Sequence, residues 1–188
     1  MLYQIFSLLL DLAAGFIGGA CLLRLYMHWR QIPMYARSGN PVGPFVMALT
    51  DWLVLPLRRV FTPVRALDIA SLVGAYLLQL LEFVLLWLLA GQAVAFAVLP
   101  LLALFGLARL AITGMTIVVV VYALLSWVQT HSVLSHLLDR LVEPWLRPLR
   151  RWIPLIGGVD LSALVLLVLL QVAAIVIANL QSSALGGF

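Results

Sequence analysis

Charge is what this sequence has least of. Only 10% of its 188 residues are charged and 65% are hydrophobic, whereas an ordinary soluble domain is roughly a quarter charged and under half apolar. A chain of this composition is not a soluble globule. Lysine is absent, and all eleven basic residues are arginine. A single cysteine, Cys21, excludes an intrachain disulfide and leaves no thiolate metal site. There is no phosphate-binding glycine loop, no nucleophile elbow, and no serine or cysteine with a base nearby. His28, His131 and His136 lack ligand spacing. Neither catalysis nor a metal or cofactor is expected.

What the chain has instead is long apolar runs. Leu72 to Ala90 and Leu161 to Ala178 reach or approach the ~17–25 residues that span a bilayer. The first thirty residues lack a basic leader and carry Asp11 inside the apolar stretch, so they read as a retained helix, not a signal peptide.

The chain also repeats itself. At an offset of 92, Asp51 falls on Glu143, Pro56-Leu57-Arg58-Arg59 on Pro148-Leu149-Arg150-Arg151, Asp68 on Asp160, and Gln79 on Gln171. Upstream the offset is 98, setting Trp29 on Trp127 and Asp11 on Arg109, with a loop insertion around Tyr35 to Asn40. The repeats cover residues 1–91 and 92–188. Each reads as a long apolar helix, an arginine segment holding a short amphipathic helix, and a second apolar helix. The spacing predicts long helices at about 3–29 and 100–128 and shorter ones at about 69–90 and 161–180. The fold class is therefore all-α, a polytopic membrane protein of four transmembrane helices with interfacial amphipathic helices.

The arginines fall in two groups, Arg24 to Arg65 and Arg140 to Arg151, with Arg109 alone. Arginine-rich loops stay on the cytoplasmic side, which sets both segments there and the termini and the Gly91 to Ala95 turn outside. A five-crossing alternative, breaking the chain at Arg109 to Gly114, would put the second segment outside against that bias. Phe45, Leu49, Trp52 and Leu53 recur at helical spacing in one short helix and Leu134, Leu137, Leu138 and Leu141 in the other, and both helices should lie in the cytoplasmic interface with arginines toward lipid headgroups, or dip partway in where protein covers them. Pro44 suits a first helical position and Ser132 an N-cap.

An Arg followed five residues later by Trp, then an acidic residue, Pro-Leu-Arg-Arg, a Pro and an Asp before an apolar helix, resembles the YggT family, also called YlmG. The first copy has Arg24, Trp29, Asp51, Pro56 to Arg59, Pro63 and Asp68. The second has Trp127, Glu143, Pro148 to Arg151, Pro154 and Asp160, with Tyr122 where the first has Arg24. The resemblance implies a bacterial inner-membrane protein linked to osmotic and ion homeostasis, often discussed as potassium-related. Other members are linked to cell division, nucleoid distribution or cytochrome assembly.

Several residues carry functional expectations. Glu82, with Gln79 one turn earlier and Gln171 at matching depth, is a candidate cation or proton site, because an ionisable group deep in a bilayer is costly. Asp11 and Arg109 are a candidate ion pair at the outer interface. Arg58, Arg59, Arg150 and Arg151 are candidates for binding anionic lipid or a partner protein. Asp68 and Asp160 are expected as helix caps. Gly15, Gly18 and Gly19 suit close helix packing, within the chain or in a homo-oligomer. The partners are then the lipid bilayer, a second copy, or a protein docked on the arginine segments, with no nucleic acid. Two functions stay open: cation passage past Glu82, and a scaffold acting through its arginines.

Overall fold

Hydrocarbon offers the backbone no water, so apolar chain must close its own hydrogen bonds as helix. The structure, a computed structural model, describes residues 2–35, 39–61, 67–89, 95–128, 132–151 and 160–186. Arg37, Pro63, Arg65, His131, Pro154 and most of the Gly91 to Ala95 turn lie outside them. The described residues form α1 (Leu2–Trp29), α2 (Val42–Arg58), α3 (Ile69–Leu89), α4 (Leu99–Trp127, entered through a 3-10 turn at Phe96–Val98), α5 (Val133–Arg150) and α6 (Leu161–Gly186). Four of them, α1, α3, α4 and α6, are long and apolar enough to cross a membrane. With 28 residues, α1 is about 42 Å long, more than a bilayer core of roughly 30 Å.

Helix α4 runs unbroken through Arg109 to Gly114, which removes the five-crossing arrangement. Both short helices therefore sit at one end of the bundle, the arginine end. Helix α6 continues to Gly186, beyond the expected end near 180, because nothing in its sequence before the final glycines stops it.

The spanning helices pack in a row, α3 against α1 and α4, and α4 against α6, with α1 also reaching α4. Gly18 lets α1 approach α4, since a Cβ there would lie 2.9 Å from Leu110 Cδ2. Gly15 and Gly19 have no such neighbour within 4 Å.

Helix α2 begins two residues before Pro44, so that proline is third in the helix, still in the first turn where no amide is required. Asn40 starts it by accepting hydrogen bonds from Val42 N (3.0 Å) and Gly43 N (3.3 Å). Gly43 then lies directly on the backbone of Met34; a Cβ would sit 2.6 Å from its carbonyl oxygen. Helix α5 starts on a capping box in which Ser132 and Ser135 bond each other's backbone amides.

The buried face of α2 is Gly43, Val46, Thr50 and Val54, packed on Cys21 of α1 and on Ala70 and Ala75 of α3. Phe45 and Trp52 lie on the opposite, exposed face. Because α2 is apolar on both sides, hydrophobic spacing alone could not tell which side meets protein. Helix α5 has a polar side, and Leu137, Leu138 and Leu141 are buried opposite it. With Val142 and Leu146 they pack on Met27 of α1, Val119 and Ala123 of α4, and Ala163 and Leu166 of α6.

Candidate functional site

A guanidinium taken out of water must be ringed by acceptors, and the arginine end contains such a ring. Arg24 is 3% exposed and donates from Nη1 to Thr50 Oγ1 and to Asp51 Oδ1, both at 2.7 Å. Its Nε faces Asp68 Oδ2 at 3.7 Å. Asp68 is fully buried and also binds Arg58, through Nε to Oδ1 at 3.3 Å and through Nη2 to Oδ2, while the Ser71 hydroxyl donates to Oδ2 at 2.9 Å. Burial alone would push the Asp68 carboxyl up. The hydrogen bonds from Arg58 and Ser71 and the charges of Arg58 and Arg24 outweigh it and hold the group below the ordinary Asp range.

The second repeat builds a related centre without the inner arginine. Arg150 donates to Asp160 Oδ2 from Nε at 2.9 Å and from Nη2, and Nη2 also reaches the Tyr122 hydroxyl at 2.7 Å. Tyr122 donates to Asp160 Oδ2 at 3.4 Å. Asp160 accepts the Ser162 amide at 3.1 Å and the Ser162 hydroxyl, so it starts α6 as well as pairing with arginine. Burial would raise its carboxyl, but Ser162 and Arg150 together hold it low. Burial likewise works against the Arg150 charge, and Asp160 and Tyr122 overcome that and raise its affinity for the proton. The Arg150 side chain is 43% exposed against 3% for Arg24 and 32% for Arg58, so the second centre has no buried guanidinium where the first has one.

Asp160 thus acts as a cap through a backbone amide. Asp68 instead directs its carboxylate to two arginines and a serine hydroxyl. Of the four arginines singled out in the Pro-Leu-Arg-Arg units, Arg58 and Arg150 are paired inside the protein. Arg59 and Arg151 are exposed at the ends of α2 and α5, and Arg147 is exposed on α5.

Glu82 is buried on α3, with Gln79 Nε2 donating to its Oε2 at 2.8 Å. From Ile69 the position is about 20 Å along the helix. The Gln79 carboxamide lies over Gly106 of α4, where a Cβ would overlap its oxygen and approach Phe83 Cε2 at 2.9 Å. Gln171 does not join this pair. It is exposed on α6, one residue past a buried stripe through Ala163 and Leu166, and α6 packs on α4 rather than on α3. Matching depth placed it at the right height and on the wrong side of its helix.

Asp11 and Arg109 are exposed and, among the described residues, form no ion pair within 4 Å. The buried roles of Thr50, Ser71 and Ser162 were missed from the sequence, though each stands within three residues of a motif carboxylate.

Fold and sites together define a polytopic, all-helical membrane protein built from two tandem copies of a helix, arginine helix and helix unit. The family model described as CCB3/YggT matches it twice, over residues 3–89 and 101–181, and the chain belongs to that family. It is 38% identical over 155 residues to "Uncharacterized protein YggT" of Escherichia coli K12, covering 80% of this chain and 77% of that one. It is 37% identical over 155 residues to "Uncharacterized protein in proC 3'region" of Vibrio alginolyticus, covering 81% and 82%. An uncharacterized protein of Haemophilus influenzae is 27% identical over 168 residues, covering 88% and 85%. No solved structure matches the chain.

Proposed function

We propose that this protein contributes to ion and osmotic homeostasis in a bacterial inner membrane by passing a cation or proton at Glu82, with its arginine end in the cytoplasm. One observation carries the reading: a buried carboxyl inside a spanning helix, with Gln79 Nε2 donating to it at 2.8 Å. Such a group is costly in a bilayer and marks ion or proton pathways. The Gln79 bond suits either state of the site, because the glutamine donates and a carboxyl oxygen accepts whether or not its partner oxygen is protonated. The sidedness follows from the retention of arginine-rich segments on the cytoplasmic side. In liposomes loaded with an ion-sensitive dye, flux should fall to background in Glu82→Gln. Wild-type protein that carries no flux under potassium, sodium or proton gradients overturns the reading.

A second reading is favoured by the exposed Arg59, Arg147 and Arg151, which bear no internal ion pair among the described residues. In it the protein is a scaffold docking a partner at its arginine end. Replacing these three with glutamine should abolish partner recovery while insertion persists. Arg58 and Arg150 are excluded from that test because each holds its own aspartate. A phenotype that follows Glu82 and ignores the three arginines rejects the scaffold.

A further inference from the structure

Helices α2 and α5 occupy equivalent places in the two repeats, yet only α2 is built to do without water. Its outer face runs through Phe45, Ala48, Trp52 and Leu55, all exposed, and Val60 and Phe61 continue it past the helix end. Trp52 turns its indole N–H back onto the Leu49 carbonyl at 2.7 Å, so the largest group on that face offers no open donor. The start of the helix is equally closed. Of the four amides that a helix leaves unpaired at its start, Pro41 and Pro44 have no N–H to leave, and Val42 and Gly43 are bonded by Asn40. Asn40 is itself buried and donates to the Pro33 carbonyl at 3.0 Å. Asp51 and Arg58 are turned to Arg24 and Asp68, which leaves Arg59, at the helix end, as the charge on the outside of α2. Helix α5 differs at each point. Its outer face carries His136, Asp139, Arg140, Glu143, Arg147 and Arg151. Its capping box serves the amides of Ser132 and Ser135, while those of Val133 and Leu134 have no side-chain acceptor among the described residues.

One contact identifies what covers the outer face of α2. The Phe45 ring lies 6.4 Å from that of Phe16, edge to face, and Phe16 is exposed on the spanning helix α1. Helix α1 outruns the bilayer core by about 12 Å, and Phe16 stands about 20 Å from either of its ends. Phe16 therefore lies in hydrocarbon whichever end of α1 projects. The outer face of α2 is continuous with the lipid-facing side of α1, and every donor along it is already satisfied, as hydrocarbon requires. We infer that α2 lies inside the leaflet at the arginine end, with Phe45, Ala48, Trp52 and Leu55 against lipid acyl chains and Arg59 reaching the headgroups, while α5 keeps its outer face in water. The covering partner of α2 is lipid, not protein. Embedded there, α2 screens the buried Arg24, Asp68 and Asp51 cluster from the acyl chains. This placement is independent of whether Glu82 carries ions.

The test places a nitroxide at Ala48→Cys in α2 and, separately, at Arg147→Cys in α5 of the full-length protein, in vesicles of phosphatidylethanolamine and phosphatidylglycerol. Cys21 is fully buried and is kept, with wild-type protein treated with the same reagent as the background. Collisions with oxygen, which concentrates in hydrocarbon, are compared with collisions with a water-soluble nickel chelate. The ratio of oxygen to nickel collisions should be at least threefold higher at position 48 than at position 147. Nickel reaching both labels equally means that α2 lies in water, and a label at position 48 shielded from both reagents means that a second copy or another protein covers it; either result overturns the inference. Wild-type protein, which carries no substitution that could disturb folding, is then photolabelled with a phospholipid bearing a diazirine midway along its acyl chain. Adducts are expected on residues 45–55 and not on residues 139–147. Adducts on α1 without any on residues 45–55 overturn the inference as well.

Discussion

Helices α2 and α5 hold the same station in the two repeats, yet they manage charge in opposite ways. Helix α2 is apolar on both sides, with Val46 and Val54 against the bundle and Phe45 and Trp52 outward. Its Asp51 and Arg58 pair with Arg24 of α1 and with Asp68 ahead of α3, so these four groups close on one another. Helix α5 keeps Asp139, Arg140, Glu143 and Arg147 on an exposed face and buries only its leucine and valine stripe. A single remote residue accompanies the change, arginine at 24 and tyrosine at 122. The difference teaches that a motif repeated in register can bury a guanidinium in one centre and do without it in the other.

The largest expected effect breaks the first centre. Arg24→Leu leaves a fully buried Asp68 with Arg58 as its only charged partner beside the Ser71 hydroxyl, and strips Asp51 and Thr50 of the Arg24 donor. Removing one partner of a buried pair costs about 3–5 kcal/mol, which a denaturation midpoint in micelles would register. Acid comes next. Asp68 and Asp160 both have folded values below their unfolded ones. The stability they confer is complete above the unfolded value, about 4, and is lost as pH falls through the lowered folded value. Thermal midpoints recorded from pH 7 down to 3 should fall steeply below about 4, and Asp68→Asn should flatten that fall more than Asp160→Asn, because Asp68 faces two arginines.

Gly43→Ala gives a smaller loss, about 1–3 kcal/mol by overpacking, since the new methyl would meet the Met34 backbone and not a movable side chain. The equivalent residue in α5 is Ser135, which serves the capping box, so Ser135→Ala should cost only the ~1 kcal/mol of a cap. Equal losses at the two positions would mean that the helices are seated alike after all. Smallest is Tyr122→Phe, which removes the hydroxyl that accepts from Arg150 and donates a long bond to Asp160, and it should lower stability by about 1 kcal/mol because both partners keep each other.

Much of this organisation is legible in the residues themselves. Apolar length alone separates spanning from short helices, and the Pro-Leu-Arg-Arg units in register with Asp68 and Asp160 mark the carboxylates that hold Arg58 and Arg150. The failures share a cause. Gln171 is at the depth of Gln79 and Glu82, but depth does not say which side of an apolar helix faces protein when both sides are greasy. Arg24 was visible as part of a motif, though its burial was not, because a positive charge near a helix end reads equally well as a topology signal. Asp11 and Arg109 are matched in height by the repeat, and the arrangement of α1 and α4 keeps their side chains apart.

The Tyr26 hydroxyl lies on a seam between the two repeats. It donates to the Leu141 carbonyl at 2.6 Å and accepts from Trp145 Nε1 at 3.0 Å, while Arg30 Nη2 reaches the Arg140 carbonyl at 3.3 Å. The end of the first repeat's opening helix is thus stitched to the short helix of the second. Two identical single-repeat subunits could form a seam of this kind only with the same residue at both equivalent stations. Joining the copies in one polypeptide removes that symmetry requirement, so one copy can keep an arginine while the other carries a tyrosine. Covalent linkage is what permits the division of labour between a half with a buried guanidinium and a half without one.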